Sequence, residues 1–477
     1  MTAEAKVVSV AAGRLGAVGS PAQWLRKISI VRRLGWGLMD QAVSSLTNVA
    51  VSLLLVRELA PAQFGAYGLA YITYGFALSA SRGISTEPLM VRFSGTKIAV
   101  WRRAVAGCTA TALITGLIAG VLALAAAAVL HGTISAAFTA LGLTFPGLML
   151  QDSWRYSFFA LGRGSQAFLN DMIWGATMVP GLIFLREIRH TTVFWVVFVW
   201  GATAGIAALV GPLQAKVIPN LMEGLSWIAR HRDIGFRFLA EGTVSNAGGQ
   251  LRGYGVGLFL GLAAVGYIQA VGTLIGPMTI MFQAMSLVLI PEAARVLRRA
   301  PARLGLFCVL VSAGLAVIAI AWGAVLLILL PHGLGQLAIG KIWRPSYPVV
   351  LPTMAAVLAQ AVTTGGFAGL HALGAAQRSL RVMLLGTTAF VGLSVGGAII
   401  WRTDTATIWG TAISGWILCA LTWQHFVKAH AEAADPASPA SQLAASQFAP
   451  GQLRAKRRPG RHRRRPAGPL ERLRLRS

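Results

Sequence analysis

The chain has 477 residues, of which 55% are hydrophobic and only 12% are charged, and its mean hydropathy is +0.65. Soluble domains usually carry about one-quarter charged residues, so this composition excludes a soluble enzyme. The formal net charge of +27 would suit a nucleic-acid binder, but the basic residues are scattered over the gaps between apolar stretches. We therefore expect no nucleic-acid partner and assign the positive charge to contacts with anionic membrane lipids.

Twelve apolar stretches follow one another along the chain, each close to the roughly 20 residues that a helix needs to cross a bilayer. They cover residues 34–56, 64–80, 105–130, 134–161, 166–185, 193–215, 238–261, 265–290, 304–330, 349–373, 382–400 and 408–426. Of the 42 Lys and Arg residues, 35 lie before the first stretch, after the last one, or in alternate gaps between stretches, counting the adjoining ends of the stretches. Because Lys and Arg stay on the cytoplasmic face during insertion, this asymmetry predicts an all-α polytopic membrane protein with both termini in the cytoplasm.

The longest internal gap follows the sixth span. Residues 217–230 carry apolar side chains at helical spacing there, which predicts an amphipathic helix in the cytoplasmic interface. The two halves have six predicted spans each, and their spans run in the same directions across the membrane. This indicates a parallel repeat. The expected organisation is a basic cytoplasmic segment at 1–33, a first six-helix lobe at 34–215, a cytoplasmic amphipathic linker at 216–237, a second six-helix lobe at 238–428 and a disordered polybasic cytoplasmic tail at 429–477.

The residues that often bind metals or cofactors form no cluster in the sequence. Cys108, Cys308 and Cys419 lie singly within apolar spans, and the eight His residues are scattered. We therefore expect neither a disulfide framework nor a metal site. No segment resembles a nucleotide-binding loop, so we expect no cofactor, and an ion gradient or the membrane potential would have to drive any transport.

Five short segments follow one another in a recurring order. They are residues 57–65 (RELAPAQFG), 264–271 (AVGYIQAV), 289–295 (LIPEAAR), 339–352 (IGKIWRPSYPVVLP) and 371–378 (HALGAAQR). Together they resemble the polysaccharide flippase branch, of O-antigen and teichoic-acid type, of the multidrug/oligosaccharidyl-lipid/polysaccharide (MOP) exporter superfamily. The resemblance covers roughly residues 34–428. The chain lacks the dense set of cavity arginines of lipid II flippases, which argues against that substrate.

The resemblance implies two six-helix lobes that pass a polyprenyl-diphosphate-linked oligosaccharide across the bacterial cytoplasmic membrane by alternating access. The expected partners are the lipid-linked glycan and the glycosyltransferases or polymerase of the same pathway, and the protein is not expected to be an enzyme. Three rivals stay open: an ion-coupled drug antiporter of the same superfamily, a membrane glycan polymerase or ligase, and a non-transporting membrane scaffold.

The seventh span carries the leading candidate for headgroup binding. Glu241, Ser245, Gly248 and Arg252 share a narrow face of a helix, and Arg252 lies near the middle of the span. A full charge at that depth costs several kcal/mol by insertion scales, so its presence needs a reason. We interpret Arg252 as a ligand for phosphate or for a coupling carboxylate and Ser245 as a cavity residue. The alternative is a structural ion pair inside the bundle.

The first span occupies the equivalent position in the other lobe. Gln41, Ser44 and Asn48 share one of its faces and are predicted to bind sugar hydroxyls, although ordinary interhelical hydrogen bonding explains them as well. Asp40 at the edge of that face, together with Glu241, is the predicted ion-coupling site.

Several charged residues lie near the predicted cytoplasmic mouth. Arg82, Arg92 and Arg295 follow the second and eighth spans and are predicted to gather an anionic headgroup; the alternative is that they only set the topology. Asp152 and Arg155 stand three residues apart in the fourth span, a spacing at which they would pair with each other.

Overall fold

The computed structural model describes Met39, Ser45 and residues 47–434, and these residues are almost wholly helical, with no β-strand among them. The helices are α1 (47–58), α2 (Pro61–Ile84), α3 (Thr86–Phe93), α4 (Ile98–Val129), α5 (Gly132–Ala160), α6 (Gly164–Glu187), α7 (Val193–Ala215), α8 (Leu221–Leu260), α9 (Leu262–Arg299), α10 (Leu304–Ala324), α11 (Leu334–Ile339), α12 (Trp343–Ala372), α13 (Ala376–Trp401) and α14 (Asp404–Ala434). The predicted all-α polytopic fold is confirmed.

Nine helical segments within the described residues are long and apolar enough to cross a membrane, and each coincides with one of the twelve predicted spans. The other three predicted spans fall in α1, α2 and α8. Only residues 47–58 of the first of them are described. The hydropathy of the spans in α2 and α8 is lowered by polar side chains, such as Tyr67, Tyr71 and Tyr74 in α2 and Arg252 in α8.

The predicted linker helix begins later than its apolar pattern suggests. Residues 217–220 are not helical, because the Asn220 side chain caps α8 by accepting hydrogen bonds from the backbone N–H groups of Met222 (3.1 Å) and Glu223 (3.4 Å). The helix then continues through a kink at His231 (φ −115°, ψ 15°) to Leu260. Two helical segments therefore meet at His231, between the predicted amphipathic helix at 217–230 and the predicted seventh span at 238–261, and six residues before the boundary that the sequence predicts at residue 237.

The last helix also extends beyond its predicted end. α14 continues to Ala434, so residues 429–434 are helical and do not belong to the predicted disordered tail. An ion pair between Arg378 Nη2 and Glu432 Oε2 (2.6 Å) and the stacking of His430 on Phe426 hold this last turn and a half. The rest of the tail, the segment 1–33 and most of the first predicted span lie outside the described residues.

Helix α2 joins the two halves of the molecule. It packs on α5 of its own half and, along its other face, on α8 and α9 of the second half. The contact with α9 is closest at Gly65 and Gly266, where a Cβ on either glycine would overlap a backbone carbonyl oxygen of the other helix, Leu262 or Pro61. Glycines at these positions let the two backbones touch.

We expect Gly65→Val to destabilise the protein, because the added side chain has no space between α2 and α9 and overpacking typically costs about 1–3 kcal/mol or more. Gly75→Val is the matched control: it is on the same helix, and a Cβ there meets nothing within 4 Å. Thermal unfolding of both purified variants measures the difference. Equal unfolding temperatures would contradict the close helix contact.

Candidate substrate-binding site

A cavity of about 790 Å³ lies among α8, α9, α12, α13 and α14, within the second half of the chain. Its volume falls in the range of small-molecule sites, roughly 300–1,000 Å³. Apolar and polar side chains both line it; the polar and titratable ones are Arg252, Thr279, Thr353, Gln360, Thr363, Thr364, His371, Thr387, Thr411 and Ser414. We call it the C-half cavity. No Asp or Glu is among its described lining residues.

Arg252 supplies the positive charge of the C-half cavity. Its guanidinium carbon lies 5.2 Å from the centroid of the Phe390 ring, which is cation–π geometry. Gly248, one turn earlier on α8, packs on Thr387 and Phe390, so α8 approaches α13 closely enough for this contact. Among the described residues, no carboxylate pairs with Arg252, so the predicted alternative of a structural ion pair has no partner there. The charge is left to act on the contents of the cavity.

Hydroxyl groups on α12 and α14 form a polar wall of the C-half cavity. On α12, Thr353 donates its hydroxyl proton to the carbonyl oxygen of Val349 (2.6 Å), and Thr364 donates to that of Gln360 (2.8 Å). On α14, Ser414 donates to Thr411 in the same way (2.7 Å). Because these protons are used inside each helix, the hydroxyl oxygens offer their lone pairs to the cavity. The wall can therefore accept hydrogen bonds from a hydroxylated ligand.

The three arginines of the predicted cytoplasmic mouth do not join this site. Arg82 makes a two-pronged pair with Asp152 (2.9 and 2.6 Å), and Arg92 pairs with Asp233 of α8. Arg295 pairs with Glu292 one turn before it on α9. Each guanidinium thus already has a carboxylate partner, which lowers the charge available for a headgroup.

Asp152 therefore does not pair with Arg155 as its spacing suggests. Arg155 Nε instead lies 3.2 Å from Asp171 Oδ2 on α6, and Gln151 Nε2 donates to Asp171 Oδ1 (2.8 Å). The predicted Asp152–Arg155 pair on α5 is wrong, because Asp152 pairs with Arg82 of α2 and Arg155 pairs with Asp171 of α6. These pairs lie in the first half of the chain, away from the C-half cavity.

Two carboxylates, those of Glu241 and Asp152, act electrostatically on Glu87 of α3. Partial burial raises the pKa of the Glu87 carboxyl; the charge of Arg82 opposes this effect, and those of Glu241 and Asp152 add to it. Glu241, predicted as an ion-coupling residue, is exposed on α8 and lies near Glu87 rather than in the C-half cavity.

The pKa of Asp233, the partner of Arg92, is lowered. Desolvation works to raise that pKa, but the hydrogen bond and the charge of Arg92 outweigh it.

The residues predicted on the first span are only partly described. Asp40, Gln41 and Ser44 lie outside the described residues, as does the side chain of Ser245 on α8. Asn48 lines a second, smaller pocket between α1, α2 and α9. Asn48 lines this smaller pocket and Arg252 lines the C-half cavity, whereas the sequence predicts both in one headgroup site.

The α12 wall is the part of the site that the sequence interpretation missed. Thr353, Gln360, Thr364 and His371 all line the cavity. They recur at intervals of seven, four and seven residues, which is one face of an α-helix. That polar face was visible in the tenth predicted span and would have indicated the cavity.

Comparison with known proteins identifies the fold. No protein-family model and no curated protein matches the chain. Solved structures do match: an inward-facing multidrug resistance MATE family transporter of the MOP superfamily aligns with a TM-score of 0.59 and 15% identity, over 81% of this chain and 94% of that one. The lipid II flippase MurJ, in its inward closed conformation, aligns with a TM-score of 0.59 and 11% identity, over 83% and 88%.

The chain has the fold of MOP-superfamily transporters. A third structure with this fold, a MOP superfamily transporter from Pyrococcus furiosus, aligns with a TM-score of 0.50 and 16% identity over 86% of this chain and 96% of its own; the reverse polarity of its binding pocket suggests a different function for it. These identities are too low to carry a substrate from one protein to another, so the site itself has to support the functional argument.

Proposed function

We propose that the protein is a membrane transporter that flips a polyprenyl-diphosphate-linked oligosaccharide across the bacterial cytoplasmic membrane for cell-surface polysaccharide assembly. One observation carries the proposal. The guanidinium of Arg252 faces a cavity of about 790 Å³ without a carboxylate partner among the described residues. An unpaired cation held at membrane depth is costly, and an anionic substrate would compensate it.

The chemistry of the cavity fits both parts of such a headgroup. A guanidinium binds phosphate oxygens through two parallel, charge-assisted hydrogen bonds, which suits a diphosphate. The hydroxyl oxygens of Thr353, Thr364 and Ser414 accept hydrogen bonds from sugar hydroxyls. The polyprenyl tail would stay in the bilayer. Alternating access would then require the contacts of α2 with α8 and α9 to open and re-form during each cycle.

The rival of the same superfamily is a drug antiporter. A site for cationic drugs needs carboxylates and aromatic rings, whereas the described lining of the C-half cavity contains Arg252 and no Asp or Glu. The rival of another class, a glycan polymerase or ligase, needs catalytic residues on sizeable outer loops. The predicted outer gap at 331–348 is instead largely occupied by α11 and the start of α12. Both observations favour the flippase proposal.

Reconstitution tests the proposal directly. Purified protein in liposomes should move a fluorescent polyprenyl-diphosphate oligosaccharide from the inner to the outer leaflet, where an added glycosidase or quencher detects it. The same liposomes should not accumulate ethidium, a cationic drug. Liposomes without protein and the same glycan on an uncharged polyprenyl ether provide the controls. Drug accumulation without glycan movement would overturn the proposal in favour of the antiporter.

A further inference from the structure

The C-half cavity has one permanent positive charge, that of Arg252, among its described lining residues. A diphosphate that is linked to carbon at both ends carries two negative charges at neutral pH. One of these charges would stay uncompensated at membrane depth, which is costly. Apart from Arg252, the titratable side chain in the described lining is that of His371. Its imidazole can supply a second positive charge by taking up a proton.

The imidazole of His371 is oriented by its own helix. Its Nδ1 lies 2.8 Å from the backbone carbonyl oxygen of Phe367, one turn earlier on α12. Because a carbonyl oxygen only accepts hydrogen bonds, Nδ1 carries the proton of the neutral ring. Nε2 then holds a lone pair, and it makes no hydrogen bond within the described part of the chain. Uptake of a proton turns Nε2 into a donor that a phosphate oxygen can accept.

The place of His371 in the fold favours the charged ring. The residue is exposed and lies in the last turn of α12, which ends at Ala372. The carbonyl groups at the C-terminus of a helix attract positive charge. The site can therefore exchange a proton with water and hold it.

Other acidic and basic groups near the end of α12 lie outside the described lining of the cavity. They include Glu292 and Arg295 of α9, Arg378 and Arg381 of α13, and His425, His430 and Glu432 of α14. Four of them form the pairs Arg295–Glu292 and Arg378–Glu432. Helix α10 also packs on α12 and contains no charged residue. The charged group that shares the cavity with His371 is thus Arg252.

Helix α14 shows at which level of α12 the Arg252 guanidinium lies. It meets α13 at Gly410 and Leu393, and it meets α12 at Gly415 and Ala359. Phe390 is one turn before Leu393, so its ring and the guanidinium beside it lie near the level of Ala359.

The spacing of the two cationic groups suits a diphosphate. The His371 ring extends back along α12 toward Phe367. Phe367 follows Ala359 by about 12 Å along the helix axis. A diphosphate with a hydrogen bond of about 2.8 Å at each end bridges roughly 11 Å. Arg252 and His371 can therefore each bind one phosphate of the same headgroup.

We propose that His371 is the second phosphate ligand of the C-half cavity and that it takes up one proton from water when a diphosphate headgroup binds. Resting on the proposed function, this role makes His371 the residue that selects the headgroup. A monophosphate diester carries one negative charge, which Arg252 compensates alone. The site should therefore prefer the diphosphate, and the preference should weaken when the imidazole stays neutral.

The experiment measures binding to the full chain in nanodiscs of neutral lipid. The probes are a disaccharide on geranyl diphosphate and the same disaccharide on geranyl monophosphate. Imidazole groups ordinarily lose their proton near pH 6.5, so the complex should hold one proton more than the free protein above that pH. We expect the dissociation constant of the diphosphate probe to rise by about tenfold from pH 6 to pH 8, and that of the monophosphate probe to change little. Calorimetry at about pH 7.5, in two buffers of different ionisation enthalpy, should show uptake of about one proton per diphosphate probe bound.

Three substitutions define the role of the imidazole. His371→Gln keeps a polar side chain that cannot be charged, so it should bind the diphosphate probe weakly at both pH values. His371→Arg keeps the charge and should bind that probe tightly at both. His332→Gln is the matched control and should keep the wild-type pH profile. Nδ1 of His332 makes the same contact with a carbonyl oxygen one turn earlier, that of Ile328 (2.7 Å), and this histidine is not in the cavity lining.

Two results would overturn this role of His371. One is equal affinity of the wild type for the two probes at pH 6. The other is a His371→Gln protein with the wild-type pH profile and proton uptake. Glycan flipping that depends on Arg252 but is unchanged in His371→Gln would leave the proposed function intact and reject only the second ligand. A wild type that binds neither probe would overturn both.

Discussion

Arg252→Ala is expected to lower glycan flipping in liposomes by about 10- to 100-fold. A hydrogen bond to a charged group is worth about 1.5–3 kcal/mol, and each 1.4 kcal/mol is a factor of ten in binding. The variant should still insert and fold, because removing an unpaired charge from membrane depth is favourable to insertion. Flipping rates per inserted protein, with a polyprenyl-diphosphate oligosaccharide as substrate, provide the measurement.

Arg252→Lys refines this prediction. Lysine keeps the charge but loses the planar pair of donors that matches a phosphate, so an intermediate rate is expected. Arg303→Ala is the control, because that arginine is exposed in the short turn Pro301–Arg303, away from the cavity. Wild-type rates from both Arg252 variants would remove this residue from substrate binding.

Arg82→Met is expected to reduce the free energy of unfolding by roughly 3 kcal/mol, because it leaves Asp152 buried without its partner. Asp152 is only 4% exposed, and both of its oxygens accept from the Arg82 guanidinium, which also lies 4.7 Å from the centre of the Tyr156 ring. The double variant Arg82→Met/Asp152→Asn should recover most of the stability, since it removes both charges together. Thermal unfolding in nanodiscs compares the three proteins.

Transport by the double variant then separates two roles for Arg82. If the arginine only fixes α2 to α5, the double variant should flip glycan at close to the wild-type rate once its stability is restored. If Arg82 also contacts the headgroup, as its position near the predicted mouth suggests, transport should stay low in a stable protein. A single variant as stable as the wild type would contradict the buried ion pair itself.

The sequence predicted the large elements of the fold because they depend on local properties. The length of the apolar stretches and the asymmetry of Lys and Arg follow from insertion into a bilayer. Nine of the predicted spans accordingly coincide with helices long and apolar enough to cross a membrane. Local signals also failed where a single side chain decides the outcome. Asn220 caps α8 and thereby moves the start of the linker helix, although the apolar pattern already begins at Val217.

The candidate site was predictable only in part, because tertiary neighbours determine it. The depth of Arg252 within its span identified an expensive charge from the sequence alone. The polar face of α12 was also visible in the sequence, but only the tertiary structure shows that α12, α13 and α14 surround Arg252 with it. For the same reason Asp152 was assigned to Arg155 rather than to Arg82, which reaches it from a helix 70 residues earlier in the chain.

A cryo-electron microscopy structure of the protein in nanodiscs, with the polyprenyl-diphosphate oligosaccharide bound, tests the central claim most directly. We predict diphosphate density in the C-half cavity, with its oxygens about 2.8 Å from the Arg252 guanidinium nitrogens and the first sugar against the α12 wall. A headgroup bound outside that cavity, with the Arg252 guanidinium paired to a carboxylate, would contradict it.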